Sequence, residues 1–205
     1  GQVGSYYAKL EGLDSELCDA FASQYKNTIN NKKINISVIL SLAQKIDSIF
    51  GFFSSKKKIS GSGDPFGVRR NVLSIIKILI ENRISLNLNI LLEECGLIYK
   101  KQNIKGRADL TIVFDFFNKR TEGYFIEEGY NHSLVRANLI KKIINPFESF
   151  IKVKKLGNFL NSHKGKLFMS AFKRLNSITE NSAKISSVVE SIFQVKEEKK
   201  LYSEI

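Results

Sequence analysis

The stretch SGSGDPFGVRRNVLSIIKILIEN, residues 60–82, carries a glycine-rich loop, an Asp-Pro step and paired arginines directly ahead of a long aliphatic run. Glycines before a helix can turn their backbone N–H groups toward a phosphate. Here the loop lacks the GK[ST] ending of a P-loop, and Asp64 and Pro65 stand where an N-cap and a first helical residue belong. A carboxylate at that position accepts from the free N–H groups and repels an incoming anion. The spacing therefore predicts a helix from Pro65 to about Asn82, with the glycines supplying permissive backbone angles. A phosphate cradle is the alternative.

Outward from this helix the apolar period is helical nearly everywhere. Asp14 can cap a helix to about Lys26, and a second is expected over Ile36–Phe53. A shorter helix should cover LNLNILLEECGLIYKK. Others are expected over Asp109–Glu127, Ser133–Ile144, Phe147–Leu160 and Lys164–Ile178, with a last amphipathic segment near 183–195. Gly129 suits the end of the Asp109 helix, and Asn145-Pro146 stops the next. With two prolines in 205 residues, helices are seldom interrupted. No strand pairs or internal repeats are visible, so the expected fold class is all-α, a multi-helix bundle. Cys18 and Cys95 stand apart, without a CxxC pair, as in a reduced, cytosolic chain. No apolar run approaches the roughly 18 residues of a membrane span. The chain opens GQVGSYYAKL, without an initiator Met or a signal-peptide pattern, which suggests a piece of a longer polypeptide.

The net charge of +12 is uneven. Residues 56–107 hold eleven basic against four acidic side chains, and residues 141–174 hold nine against one. Two basic blocks on a folded scaffold favour a polyanion, of which RNA or DNA is the commonest. A solvated, lysine-rich surface is the competing explanation. The candidates for phosphate contact are Lys56, Lys57 and Lys58, Arg70, Lys101, Lys105 and Arg107, then Lys152, Lys154 and Lys155, then Lys166 and Lys173. The helix over 164–178 is expected to bury Leu167, Phe168, Ala171, Leu175 and Ile178 and to offer Lys166, Ser170, Lys173 and Ser177 to the solvent. A stripe of lysines and hydroxyls contacts phosphates without reading bases.

On a helical wheel Arg69 falls between Ile76 and Ile80 and should be largely buried, which calls for a partner. Asp47 falls with Ile36, Leu40, Ala43 and Phe50, and a carboxylate on an apolar face is costly unless paired. A structural Asp47–Arg69 ion pair is the expectation, with a metal at Asp47 as its rival.

LAQKIDSIFGFF followed by GSGDPFGVRRNVLSIIKILIEN resembles the β subunit of bacterial heterotetrameric glycyl-tRNA synthetase, whose usual wording is close to ADKLDTLVGFF and GSKDPFALRR. Lys45, Asp47, Gly51, Phe52, Gly61, Ser62, Asp64, Pro65, Phe66, Arg69 and Arg70 match. Gln44, Gly63, Gly67 and Val68 depart, and the lysine missing at position 63 weakens any grip of the loop itself on RNA. GQVGSYYAKLEG is similar to the family's GxMGxxYAxxxG segment, and AFKRLNSI to its KRVxNIL element.

The resemblance implies residues 1–82 as the later part of an HD-like helical domain, 83–162 as a helical body, and 163–205 as the start of an anticodon-binding region. It implies a tRNA-binding role in a cytoplasmic ligase of two α and two β subunits. The α subunit would use ATP and Mg to attach glycine, so this chain would carry no catalytic residue, cofactor or metal and touch no membrane. Asp47 takes the place of the last ligand of HD-type phosphohydrolases. That chemistry needs a His-Asp doublet and further histidines, whereas only His132 and His163 occur, neither beside an Asp.

Overall fold

The computed structural model describes residues 1–26, 29, 34–55, 64, 66–104, 106, 108–139, 145–179 and 193–204. Those residues form ten helices and no strand, an all-α chain. They divide into two compact units, Gly1–Asn158 and Phe159–Ile205.

In the first unit, α1 (Gln2–Leu10) and α2 (Ser15–Ser23) make a hairpin. Small residues line their buried sides, Ser5 and Ala8 on α1 and Cys18 and Ala20 on α2, which lets the two backbones approach. Asp14 caps α2 by accepting from the Glu16 N–H at 2.7 Å. The next helix, α3 (Ile36–Ser54), is capped by Asn35, and α4 (Val68–Glu81) returns along it. Eight of the fourteen α4 residues are buried, which makes α4 the centre of the core. Around it lie α5 (Leu88–Lys101), α6 (Leu110–Glu127), α7 (His132–Leu139) and the start of α8 (Pro146–Asn161). Ile46, Ile49, Ile75, Leu79, Leu92, Val113, Phe117, Phe125, Val135 and Val153 belong to one continuous apolar cluster. Helices on both sides of position 82 share it.

Helix ends follow local chemistry. Asp109 caps α6 through the Thr111 N–H at 2.9 Å. At the other end Gly129, at φ 90°, lets the Tyr130 N–H reach the Phe125 carbonyl at 3.1 Å, a Schellman closure. Arg83 makes the same closure after α4 at φ 56°, without being glycine.

The second unit contains the end of α8, α9 (His163–Thr179) and α10 (Lys196–Glu204). Gly165 presses against the Phe159 carbonyl so closely that no side chain fits there.

Several expectations are corrected. The helix expected from Pro65 starts at Val68, because Gly67 adopts a left-handed φ of 64°. Asp64 still serves the helix from four residues ahead of it: its Oδ1 accepts from the Arg69 N–H at 3.3 Å and its Oδ2 from the Arg70 N–H at 3.2 Å. On α3 the buried face runs through Val38, Ser41, Lys45, Ile46, Ile49 and Phe52, and Asp47 is exposed. By length and composition α3 is apolar enough to cross a membrane, contrary to the expectation that no run approaches that length; Val38, Ile46, Ile49, Phe50 and Phe52 lie in the core cluster. On α9 the residues expected in a core are exposed: Leu167, Phe168, Ala171, Leu175 and Ile178. Residues 140–144 and most of the segment expected near 183–195 lie outside the described residues.

Candidate nucleic-acid interface

The last turn of α3 is the hub of the first cationic site. Three separate stretches of chain meet it. The Phe52 ring packs against Phe66, centroids 5.5 Å apart. Gly51 leaves room for the Tyr99 hydroxyl, which a Cβ would meet at 3.1 Å. Gly106, at φ 112°, lies so close to the Ser54 carbonyl oxygen that a Cβ would sit 2.3 Å away. This turn thus gathers the start of α4, the end of α5 and the link from α5 to α6.

Of the first basic block, Arg70, Lys100 and Lys101 are described on these elements. The chain leaves α3 at Ser55 and returns at Asp64, and Lys56, Lys57 and Lys58 lie between them in sequence. Lys105 and Arg107 flank Gly106; like Lys56–Lys58 they fall outside the described residues. Lys100 and Lys101 close α5 and are exposed. Arg70 stands on the first turn of α4 with 70% of its side chain exposed and its Nε 3.6 Å from Asp64 Oδ2. Asp64 is half-buried and spends its charge on two helix N–H groups as well as on Arg70. It orients the guanidinium without enclosing it.

Asp47 and Tyr99 join the same region across 52 residues of sequence. The Tyr99 hydroxyl donates to Asp47 Oδ1 at 2.8 Å. Burial first, then the hydrogen bond and charge of Asp47, pushes the Tyr99 phenol up to about 12. The ion pairs among the described residues are Arg70–Asp64, His132–Glu122 and Arg136–Glu122. The expected Asp47–Arg69 pair is not among them. Its premise fails, since α3 turns Asp47 outward and Arg69 is only half-buried. No three His, Cys, Asp or Glu side chains gather as metal ligands among the described residues.

Lys45 is the charge that the core of α3 does bury, at 1% exposure. Its Nζ donates to Ser41 Oγ at 2.6 Å and to the Gln24 carbonyl at 2.9 Å. Desolvation pulls its pKa down to about 8. Neither Lys45 nor Tyr99 was singled out as a site residue from sequence. The lysine was visible inside the largely apolar segment SLAQKIDSIF, residues 41–50, but the tyrosine had no local signal.

A second bank lies on α8. Asn145 and Ser85 hold its start: Asn145 Nδ2 donates to Ser85 Oγ at 2.7 Å, and Ser85 Oγ donates to Glu148 Oε1 at 2.8 Å. Pro146 and Val153 are buried, and Phe150 packs against Phe125 and Tyr130. With that side inward, Lys152, Lys154 and Lys155 are exposed on the other. In the second unit Lys166 and Lys173 are exposed, seven residues apart on α9 and so on one side of it.

Chains of known kind are similar to this one. The pattern of the family described as "Glycyl-tRNA synthetase beta subunit" matches residues 1–140, over half of the chain. The chain belongs to the glycyl-tRNA synthetase beta subunit family. Relatives named "Glycine--tRNA ligase beta subunit" agree along nearly its full length. One from Rickettsia bellii (strain OSU 85-389) is 33% identical over 204 residues, 98% of this chain and 30% of the relative. Those from Rickettsia felis and Rickettsia canadensis are 34% identical, covering 98% and 99% of this chain and 29% and 30% of the relatives. The chain therefore spans about 30% of the length of these glycyl-tRNA synthetase beta subunit relatives.

Proposed function

We propose that this chain is a tRNA-binding part of a glycine–tRNA ligase. It holds and positions tRNA, while an α subunit uses ATP and Mg to form the ester with glycine, in a cytoplasmic assembly of two α and two β subunits. Membership of the family carries this conclusion, and the exposed Arg70, Lys100 and Lys101, on elements that meet the last turn of α3, support it. Such a surface neutralises phosphates and gains affinity from the release of counterions.

Titrating the chain with tRNA at increasing salt tests the proposal. Binding at low salt that falls steeply with salt is expected, and no binding at low salt would overturn it. Adding the α subunit and following glycine transfer to tRNA tests the ligase role. A second possibility, a helical adaptor without a ligase role, draws on α1. There Val3, Tyr6, Tyr7 and Leu10 make an exposed apolar stripe at helical spacing. Glycine transfer that needs this chain would exclude that alternative.

A further inference from the structure

Arg120, on α6, carries a charge that the fold leaves unanswered. It is half-buried, and its Nε–H is shut away from water without an acceptor. Its guanidinium carbon stands 5.4 Å from the centre of the Phe116 ring, one turn back along the helix. Phe116 is itself braced by Phe53, with ring centres 5.6 Å apart. The ring attracts the cation, but a desolvated N–H without an acceptor is costly. A site that keeps one is poised for an acceptor from outside the fold.

A second cation shares this side of α6. Lys77 of α4 lies over Tyr124, its Nζ 5.8 Å from the ring centre. Phe116, Arg120 and Tyr124 recur every four residues and so follow one side of the helix, with about 12 Å of rise from the first ring to the last. Among the described residues neither cation makes a hydrogen bond or an ion pair. The carboxylates of these two helices are engaged elsewhere or set apart. Glu122 takes His132 and Arg136 on the side of α7. Asp115 is turned about 140° around the helix from Arg120. Glu81, Glu127 and Glu128 stand at the far ends of α4 and α6, Glu127 about two turns beyond Arg120, and Glu128 and Glu81 act on the Tyr124 hydroxyl. Arg70 differs, since Asp64 already pairs with it.

We propose that the groove between α4 and α6 binds the phosphodiester backbone of RNA, with one phosphate on Arg120 and another on Lys77. Two unpaired charges on one line suit a chain of phosphates, whereas a single carboxylate would engage only one of them. The planar fork of Arg120 can meet a phosphate through two N–H groups, and Lys77 adds a point charge. Such contacts position RNA without reading its bases. The inference rests on the RNA-binding function proposed above and gives it a place outside the basic residues that the sequence singled out.

The test titrates the 205-residue chain with tRNA over a range of salt. Arg120→Gln and Lys77→Gln are each expected to weaken binding several-fold and to lower the slope of log affinity against log salt by about one. Arg120→Lys should keep the slope. Arg136→Gln removes an equal charge from a residue already paired with Glu122 and should leave the slope unchanged. Lys77→Gln stands on another helix and keeps the question open to refutation if the Arg120 variant fails to fold. A slope unchanged in either Gln variant of the groove would overturn the site and leave tRNA binding standing. If glycine transfer on adding the α subunit nevertheless falls in Arg120→Gln, the guanidinium meets a protein carboxylate instead. Absence of tRNA binding by the parent at low salt would overturn both the site and the function it rests on.

Discussion

Lys45 reaches from the middle of α3 to the end of α2, its Nζ 2.9 Å from the Gln24 carbonyl oxygen. A cation at a helix C-terminus meets the negative end of the helix dipole, but this ammonium is almost completely out of water. The site holds a charge at the cost of its hydration, and the lowered pKa of about 8 expresses that cost.

Stability should therefore depend on pH through Lys45. The unfolded chain keeps this proton to about 10.5, whereas the native fold releases it near 8. Between those values the unfolded state binds more protons, so native stability rises with pH, by at most ~1.4 kcal/mol per unit. Lys45→Met removes the titration and should be no less stable than the parent at pH 7. The difference in unfolding free energy between the two, measured from pH 7 to 9.5, is expected to shift toward the parent. Parallel curves would contradict this account.

Gly106→Ala should destabilise the first unit by more than ~2 kcal/mol. Its φ of 112° disfavours any Cβ, and the one added would meet the Ser54 carbonyl at 2.3 Å. Denaturant unfolding measures this, and a midpoint equal to the parent's would mean that α3 and the link after α5 do not meet as described.

Arg83→Gly works in the opposite direction. Arg83 is exposed and closes α4 at φ 56°, where an L side chain costs roughly 1–2 kcal/mol. Allowing for the greater entropy of glycine in the unfolded chain, a gain of up to about 1 kcal/mol is expected, or a rise of a few degrees in Tm. A lowered Tm would show that the side chain has a role of its own.

Two tyrosines should ionise late. Burial and the neighbouring carboxylates push Tyr99 and Tyr124 to about 12, so their contribution to stability is lost as pH rises from about 10 through 12. Spectrophotometric titration should show two phenols ionising near 12. Tyr99→Phe should remove one of them and, with it, the hydrogen bond to Asp47. A titration in which both phenols near 12 persist in that variant would refute the Asp47 contact.

Reversal of Lys152, Lys154 and Lys155 to Glu should weaken tRNA binding and lower the salt slope by roughly one for each lysine that meets a phosphate. All three point away from the core, so the unfolding midpoint should stay near the parent's. Unchanged tRNA affinity would make this bank an ordinary solvated face.

The sequence by itself determined where most helices run and how several begin and end. Asp14, Asp109 and Gly129 act within a few residues of their own positions, so their chemistry is local. The Asp64 cap was legible in kind but misplaced in register, because nothing local announced the left-handed turn at Gly67. Which side of α3 faces inward was decided only by tertiary structure. Ile36, Val38, Ile39, Leu40, Leu42, Ile46, Ile49, Phe50, Phe52 and Phe53 surround that helix almost completely, so its period does not select a face. The neighbours do: α2 offers the Gln24 carbonyl to Lys45, and α5 offers the Tyr99 hydroxyl to Asp47. The basic blocks were plain in composition, but bringing residues near 66, 99 and 106 to one turn of α3 takes contacts between distant parts of the chain, which no local propensity encodes.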